Sequence, residues 1–151
     1  MSTLEENLAK KAQHIAEDYF RNQGFLCSEA ILITINELLG KEFSSQVVKL
    51  ASGFPKGLGN SGCLCGAVSG GVMALGFKYG RTEPGAAMPK SLPNSAALHD
   101  YIQDEYGSTC CRVLTSSFVE FDSPERIEHC IEITGKVAAW VMDRFIKDNL
   151  V

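Results

Sequence analysis

The chain has 151 residues, 45% of them hydrophobic and 21% charged, with 14 basic against 18 acidic. This is one domain's length with a globular composition, which excludes a disordered, collagen-like or rod-like chain. A formal net charge of −4 has the wrong sign for a nucleic-acid binder.

The first residues are polar and acidic ahead of Lys10 and lack the basic-then-apolar layout of a signal peptide. The expected compartment is therefore the reducing cytoplasm. There, a set of cysteines reads as metal-binding or redox-active rather than as staples.

Residues 3–22 predict an amphipathic helix. Leu4, Leu8, Ile15, Tyr19 and Phe20 recur at helical spacing, and Ser2 and Thr3 with Glu5 and Glu6 suggest a capping box. A second helix is expected over 28–39, capped by Ser28, apolar along Ile31, Leu32, Ile35, Leu38 and Leu39, and ended by Gly40. A short third follows at 44–52, opened by Ser44 or Ser45. Residues 53–62 read as a glycine-rich loop, and 63–79 as a helix of small residues. The longest uncharged stretch, Gly57 to Phe77, holds seven glycines. It suits a tightly packed buried segment better than a lipid-facing one, so no membrane insertion is expected.

Residues 80–94 contain three of the five prolines and predict an irregular excursion. A helix is expected at 95–106, stopped by Gly107. Residues 113–121 are β-prone, but a lone strand has no partner, so a loop or helix tail is expected. Ser123-Pro124-Glu125 opens a last helix reaching about 148, with Ile127, Ile131, Ile133, Val137, Ala138, Val141 and Phe145 along it. These elements predict one all-α domain over 1–151. It would be a bundle of about five to six helices, with its cysteines gathered near one end.

Gly62, Gly66 and Gly70 are spaced by four, and a glycine face admits a close backbone or a cofactor. Tight helix packing alone would also explain it. From Phe43 to Thr82 there is no acidic residue, while Lys49, Lys56, Lys78 and Arg81 give the stretch +4 against −8 elsewhere. This is either an ordinary basic patch or an electropositive setting for thiolates. Positive charge and a helix N-terminus both lower a thiol pKa.

Six cysteines are present: Cys27, Cys63, Cys65, Cys110, Cys111 and Cys130. No Cys-x-x-Cys pair signals a zinc ribbon or a thioredoxin-type site. Any one alone is best read as an inert buried thiol. As a set, Cys27, one of Cys63/Cys65, one of Cys110/Cys111 and Cys130 stand on or beside four predicted helices. Four thiolates suit an iron–sulfur cluster or zinc.

His14 and His99 are expected on solvated helix faces. His129 adjoins Cys130 but points about 100° away on a helix. Ser69 lacks the Gly-x-Ser-x-Gly setting of a serine hydrolase. Gly57-Leu-Gly-Asn-Ser-Gly62 follows no strand, which argues against a dinucleotide site.

Cys65-Gly-Ala-Val-Ser-Gly70 resembles the central motif of the C_GCAxxG_C_C family, named for its cysteines and described as redox-active. Cys27 with Ser28-Glu-Ala30 looks like the family's first cysteine. Tyr106-Gly-Ser-Thr-Cys-Cys-Arg-Val-Leu114 looks like its third, with Cys111 the better match, and Cys130 looks like the fourth. The resemblance spans about 25–135. It extends to the helical part of split-Soret cytochromes, where bundle cysteines are linked to an iron–sulfur cluster. No Cys-x-x-Cys-His is present, so covalent haem is not expected.

The resemblance implies a metal centre, iron–sulfur or else zinc, for electron transfer. Its ligands would be Cys27, Cys65, Cys111 and Cys130, with Gly66 and Gly70 allowing close approach. Two other readings are a cofactor-free thiol–disulfide enzyme, with Cys65 as a low-pKa nucleophile, and a structural zinc or partner-binding module. Cys63 and Cys110 fall outside the four-cysteine core, as disulfide partners, swapped ligands or extra thiols. A redox protein is the expected partner, a homodimer fits a small apolar bundle, and no nucleic acid is expected.

Overall fold

The computed structural model describes residues 3–85 and 87–151. In chain order its helices are α1 (Thr3–Arg21), α2 (Cys27–Leu38), the short turn α3 (Pro55–Leu58), whose Lys56 and Gly57 have positive φ, α4 (Gly66–Tyr79), α5 (Ser91–Tyr106), the single turn α6 (Cys111–Leu114) and α7 (Pro124–Lys147). A 3₁₀ segment covers Ser45–Ala51. No strand occurs among the described residues, so the all-α expectation holds and the β-prone 113–121 stretch is α6 followed by turns.

The helix ends follow local chemistry. Ser123 Oγ accepts the Arg126 N–H at 3.2 Å and Pro124 takes the first helical position, as α7's sequence signalled. Ser44 opens the 3₁₀ segment by accepting from the Gln46 N–H. Gly107 closes α5 at φ 80°, where its N–H bonds the Gln103 carbonyl at 2.9 Å.

Several details differ from the sequence reading. Ser28 does not cap α2. It lies inside the helix, fully buried, and donates to the Ala51 carbonyl at 2.7 Å. The Glu29 carboxylate instead accepts the Leu26 N–H at 2.9 Å. Leu4 is 78% exposed, and α1 turns Ala12 and Ala16 to the core. The capping box at α1 rests on Ser2 and the Glu5 and Glu6 side chains, which lie outside the described residues. α4 begins at Gly66, leaving Cys63 and Gly62 ahead of it. α5 begins at Ser91, with Pro93 in a first turn whose N–H groups have no helical partner anyway.

α4 is the central helix, packed against α2, α5 and α7, while α1 lies along α7 and α2. Its small residues explain this placement. A Cβ on Gly71 would come within 2.6 Å of both Leu98 on α5 and Val137 on α7. One on Gly70 would meet the Ser28 Cα at 2.6 Å and its carbonyl oxygen at 2.8 Å. The glycine face predicted for Gly66 and Gly70 is therefore the α2 contact. Around it, Ile31, Leu32, Ile35, Leu75, Leu98, Ile102, Val137, Val141, Met142 and Phe145 are completely or almost completely buried. Each stabilises the fold by about 1.5–3 kcal/mol relative to exposure. No helix among the described residues is long and apolar enough to cross a membrane.

Candidate thiol-lined site

Two chain segments far apart in sequence run side by side where the site forms. The Cys65 N–H donates to the Thr109 carbonyl at 2.7 Å, and the Arg112 N–H donates to the Gly62 carbonyl at 2.9 Å. Between these bonds a disulfide joins Cys63 to Cys110, with Cα atoms 4.3 Å apart. The two cysteines outside the four-cysteine pattern are thus partners of each other. Of the three roles open to them from the sequence, disulfide partners, swapped ligands or extra thiols, the structure gives the first. Adjacent Cys110 and Cys111 diverge, as neighbouring side chains do, so Cys111 faces elsewhere as the first residue of α6.

Cys27, Cys65, Cys111 and Cys130 are the free cysteines. All four line one cavity of about 190 Å³. Cys27 is the first residue of α2, Cys65 caps α4, and Cys130 lies in the second turn of α7. Phe20, Leu26, Ile127 and Ile133 supply apolar wall, and Lys56, Asp122 and Arg126 supply charge. Gly66 is part of the lining, and a Cβ there would collide with the Cys27 Sγ. Gly70 holds the neighbouring Ser28 backbone rather than touching the cavity. Among the described residues, no group of three or more His, Cys, Asp or Glu side chains is drawn onto one metal-sized point.

The thiols are held neutral. Burial is the largest influence on Cys27, whose pKa rises, and the nearby Cys65 sulfur adds to it. Burial likewise pushes Cys65 up to about 11, against the pull of the Ala67 and Val68 N–H groups. The helix N-terminus acts on Cys65 with the expected sign, but desolvation outweighs it. Cys111 and Cys130 are also raised by burial, and Arg126 opposes this at both.

Arg126 is the residue that sequence reasoning missed. It is only 6% exposed, and its Nη1 lies 3.7 Å from the Cys130 Sγ. Its guanidinium sits 3.9 Å over the Phe121 ring and 3.6 Å from Asp122, while its Nε is buried without a partner. Its position four residues before Cys130 places both on one helix face, the signal that could have found it. Of the four cations in the basic 43–82 stretch, Lys56 reaches the cavity lining and the other three do not. Lys78 pairs with Glu42 at 2.8 Å, and Lys56 lies over Phe121. The cation acting on the thiols comes from α7.

His14 and His99 are exposed, as expected. His129 packs edge-on against Tyr106 and beside Phe118, outside the cavity lining. Trp140 stacks on Tyr101 at 6.2 Å.

A family model described as "Putative redox-active protein (C_GCAxxG_C_C)" matches residues 25–144. Neither the curated proteins nor the solved structures hold a match.

Proposed function

The chain belongs to the C_GCAxxG_C_C family of redox-active proteins, and from that premise we propose that its four free cysteines bind an iron–sulfur cluster for electron transfer. The observation that carries this is the convergence of Cys27 on α2, Cys65 at the cap of α4, Cys111 on α6 and Cys130 on α7 on one cavity. Four thiolates are the donor set of such clusters. When bound, the cluster would supply reversible one-electron transfer.

The chain's own groups have definable parts. The four thiols must lose protons on binding, since burial keeps them neutral in the metal-free protein. Arg126 offsets the negative charge that the thiolates bring, and its unpartnered Nε is a donor free to meet it. Phe20, Leu26, Ile127 and Ile133 keep water from the sulfurs. Gly66 leaves the space a Cβ would fill. The reading of Cys65 as a low-pKa nucleophile of a cofactor-free enzyme is disfavoured, because a thiol at about 11 is almost wholly protonated at neutral pH.

The test is an absorption spectrum of anaerobically purified protein, with iron, zinc and acid-labile sulfide assayed on the same sample. Visible charge-transfer bands with matched iron and sulfide, lost in Cys65→Ser, are expected. A protein that stays colourless and iron-free after incubation with ferrous iron and sulfide overturns the proposal. Stoichiometric zinc would replace the cluster by a structural ion.

A further inference from the structure

We propose that Cys63 and Cys110 form a second redox centre, a two-electron disulfide/dithiol couple that takes its electrons from a dithiol and sets how firmly Cys65 and Cys111 are held at the cavity. Neither cysteine lines the cavity, so the couple is separate from the four-thiol site. Both are partly exposed, whereas Cys65 and Cys111 are buried. A reductant can therefore reach the disulfide without entering the site.

The position of the bond gives it leverage. It joins residues 47 apart in sequence, two residues before one cavity thiol and one residue before the other. The parallel supports are two backbone hydrogen bonds, Cys65 to Thr109 and Arg112 to Gly62. The segment leading into Cys63 has further reason to move. Lys56, Leu58 and Asn60 have φ of 60°, 52° and 71°, a region that non-glycine residues adopt at a cost. Such conformations persist where surrounding ties enforce them, and the disulfide is a covalent tie at the segment's end.

The chemistry balances with a dithiol as reductant. One reductant thiolate attacks a sulfur of the Cys63–Cys110 bond, forming a mixed disulfide and releasing the other cysteine, which takes a proton. The reductant's second thiol, losing its proton, then attacks the mixed disulfide and frees the remaining cysteine as a thiol. The protein gains two electrons and two protons, and the reductant leaves as a disulfide. A dithiol suits this exchange because its second thiol resolves the intermediate intramolecularly.

The consequence for cluster retention rests on the function proposed above; the couple and its grip on Cys65 and Cys111 do not. The test uses the full-length metal-free protein equilibrated in oxidised/reduced dithiothreitol mixtures. Thiols are trapped by alkylation, each cysteine is read by peptide mass spectrometry, and folding is followed by circular dichroism. Cys63 and Cys110 are expected to convert together and reversibly while helicity is retained. Alkylation of Cys65 and Cys111 should quicken by about tenfold across the same titration, as the segment opens locally. Cys63→Ser/Cys110→Ser should show the faster rates without reductant.

If the bond yields only when the protein unfolds, it is a staple and the couple is refuted. If it is reduced with Cys65 and Cys111 unchanged, the grip is refuted. Should the double variant not fold, the reduced wild-type protein still decides both points. Failure of iron and sulfide to bind the oxidised protein would sink the cluster alone, because none of these readouts uses metal.

Discussion

Two glycines on one helix should respond to alanine with opposite signs. At Gly76 an added Cβ meets nothing within 4 Å. Gly76→Ala should therefore gain the helix-propensity difference, about 1 kcal/mol. Gly70→Ala gains the same local term, but its Cβ would sit 2.6 Å from the Ser28 Cα and 2.8 Å from the Ser28 oxygen. Those are backbone atoms, with no rotamer to yield, so α2 must back away from α4. Ser28 would strain its bond to the Ala51 carbonyl, and the contacts of Ile31, Leu32 and Ile35 would loosen. Overpacking that forces such backbone shifts costs about 1–3 kcal/mol. The two variants should differ by that overpacking cost, about 1–3 kcal/mol, roughly 2–12 °C in midpoint for a domain of this size. Urea unfolding of the metal-free protein, followed by circular dichroism with the disulfide intact, measures the difference. A Gly70→Ala protein as stable as Gly76→Ala would refute the account of the α2–α4 contact.

Three further outcomes follow from the site. Arg126→Met should slow alkylation of Cys111 and Cys130 at fixed pH, since Arg126 lowers both pKa values and its loss reduces the thiolate fraction; unchanged rates would remove it from the site's electrostatics. In the reduced metal-free protein, Cys65 should react with iodoacetamide at pH 8 about a hundredfold more slowly than an ordinary thiol, because its pKa stands near 11 instead of 9.0. Its folded pKa being the higher, its contribution to stability is complete below pH 9.0 and falls as pH rises towards about 11, which stability curves between pH 8 and 11 would detect. Cys63→Ala/Cys110→Ala should lower the unfolding free energy by about 4 kcal/mol on the chain-entropy estimate for a cross-link spanning 47 positions, and a loss below about 1 kcal/mol would show that the unfolded chain is little constrained by it.

Much of the helical frame was legible because its signals are local. α7 is written in Ser123, Pro124 and an apolar stripe, and α5 ends at Gly107 where the sequence places a glycine. The errors also have local causes. Leu4 fits the helical period of α1, yet it lies near the chain's start, beyond the reach of the core that Ala12 and Ala16 meet. Ser28 has the chemistry of a cap, but a buried carbonyl at Ala51 outcompetes the helix end for its hydroxyl. The small-residue helix expected from Cys63 begins three residues late. Cys65, at φ −52° and ψ 129°, is still extended, so helical backbone starts only at Gly66.

Within the site, the order of the cysteines and the resemblance around Cys65 set Cys27, Cys65, Cys111 and Cys130 apart as expected ligands, and the structure leaves these four free along one cavity. The Cys63–Cys110 pairing was beyond those signals, because a disulfide depends on a distance between residues 47 apart that no spacing rule contains. Charge was misassigned for the same reason. Lys49, Lys56, Lys78 and Arg81 cluster in sequence, but the field at a thiol depends on distance and burial, and it is Arg126 that lies beside Cys130. The sequence alone determined the helical class and the small-residue character of α4. The tertiary structure decided that the four free cysteines share a cavity, that burial overrides the helix N-terminus at Cys65, and that a buried arginine lies beside Cys130. Periodicity and capping are properties of neighbours along the chain, whereas desolvation, sulfur–sulfur distance and ion placement exist only once distant helices are packed.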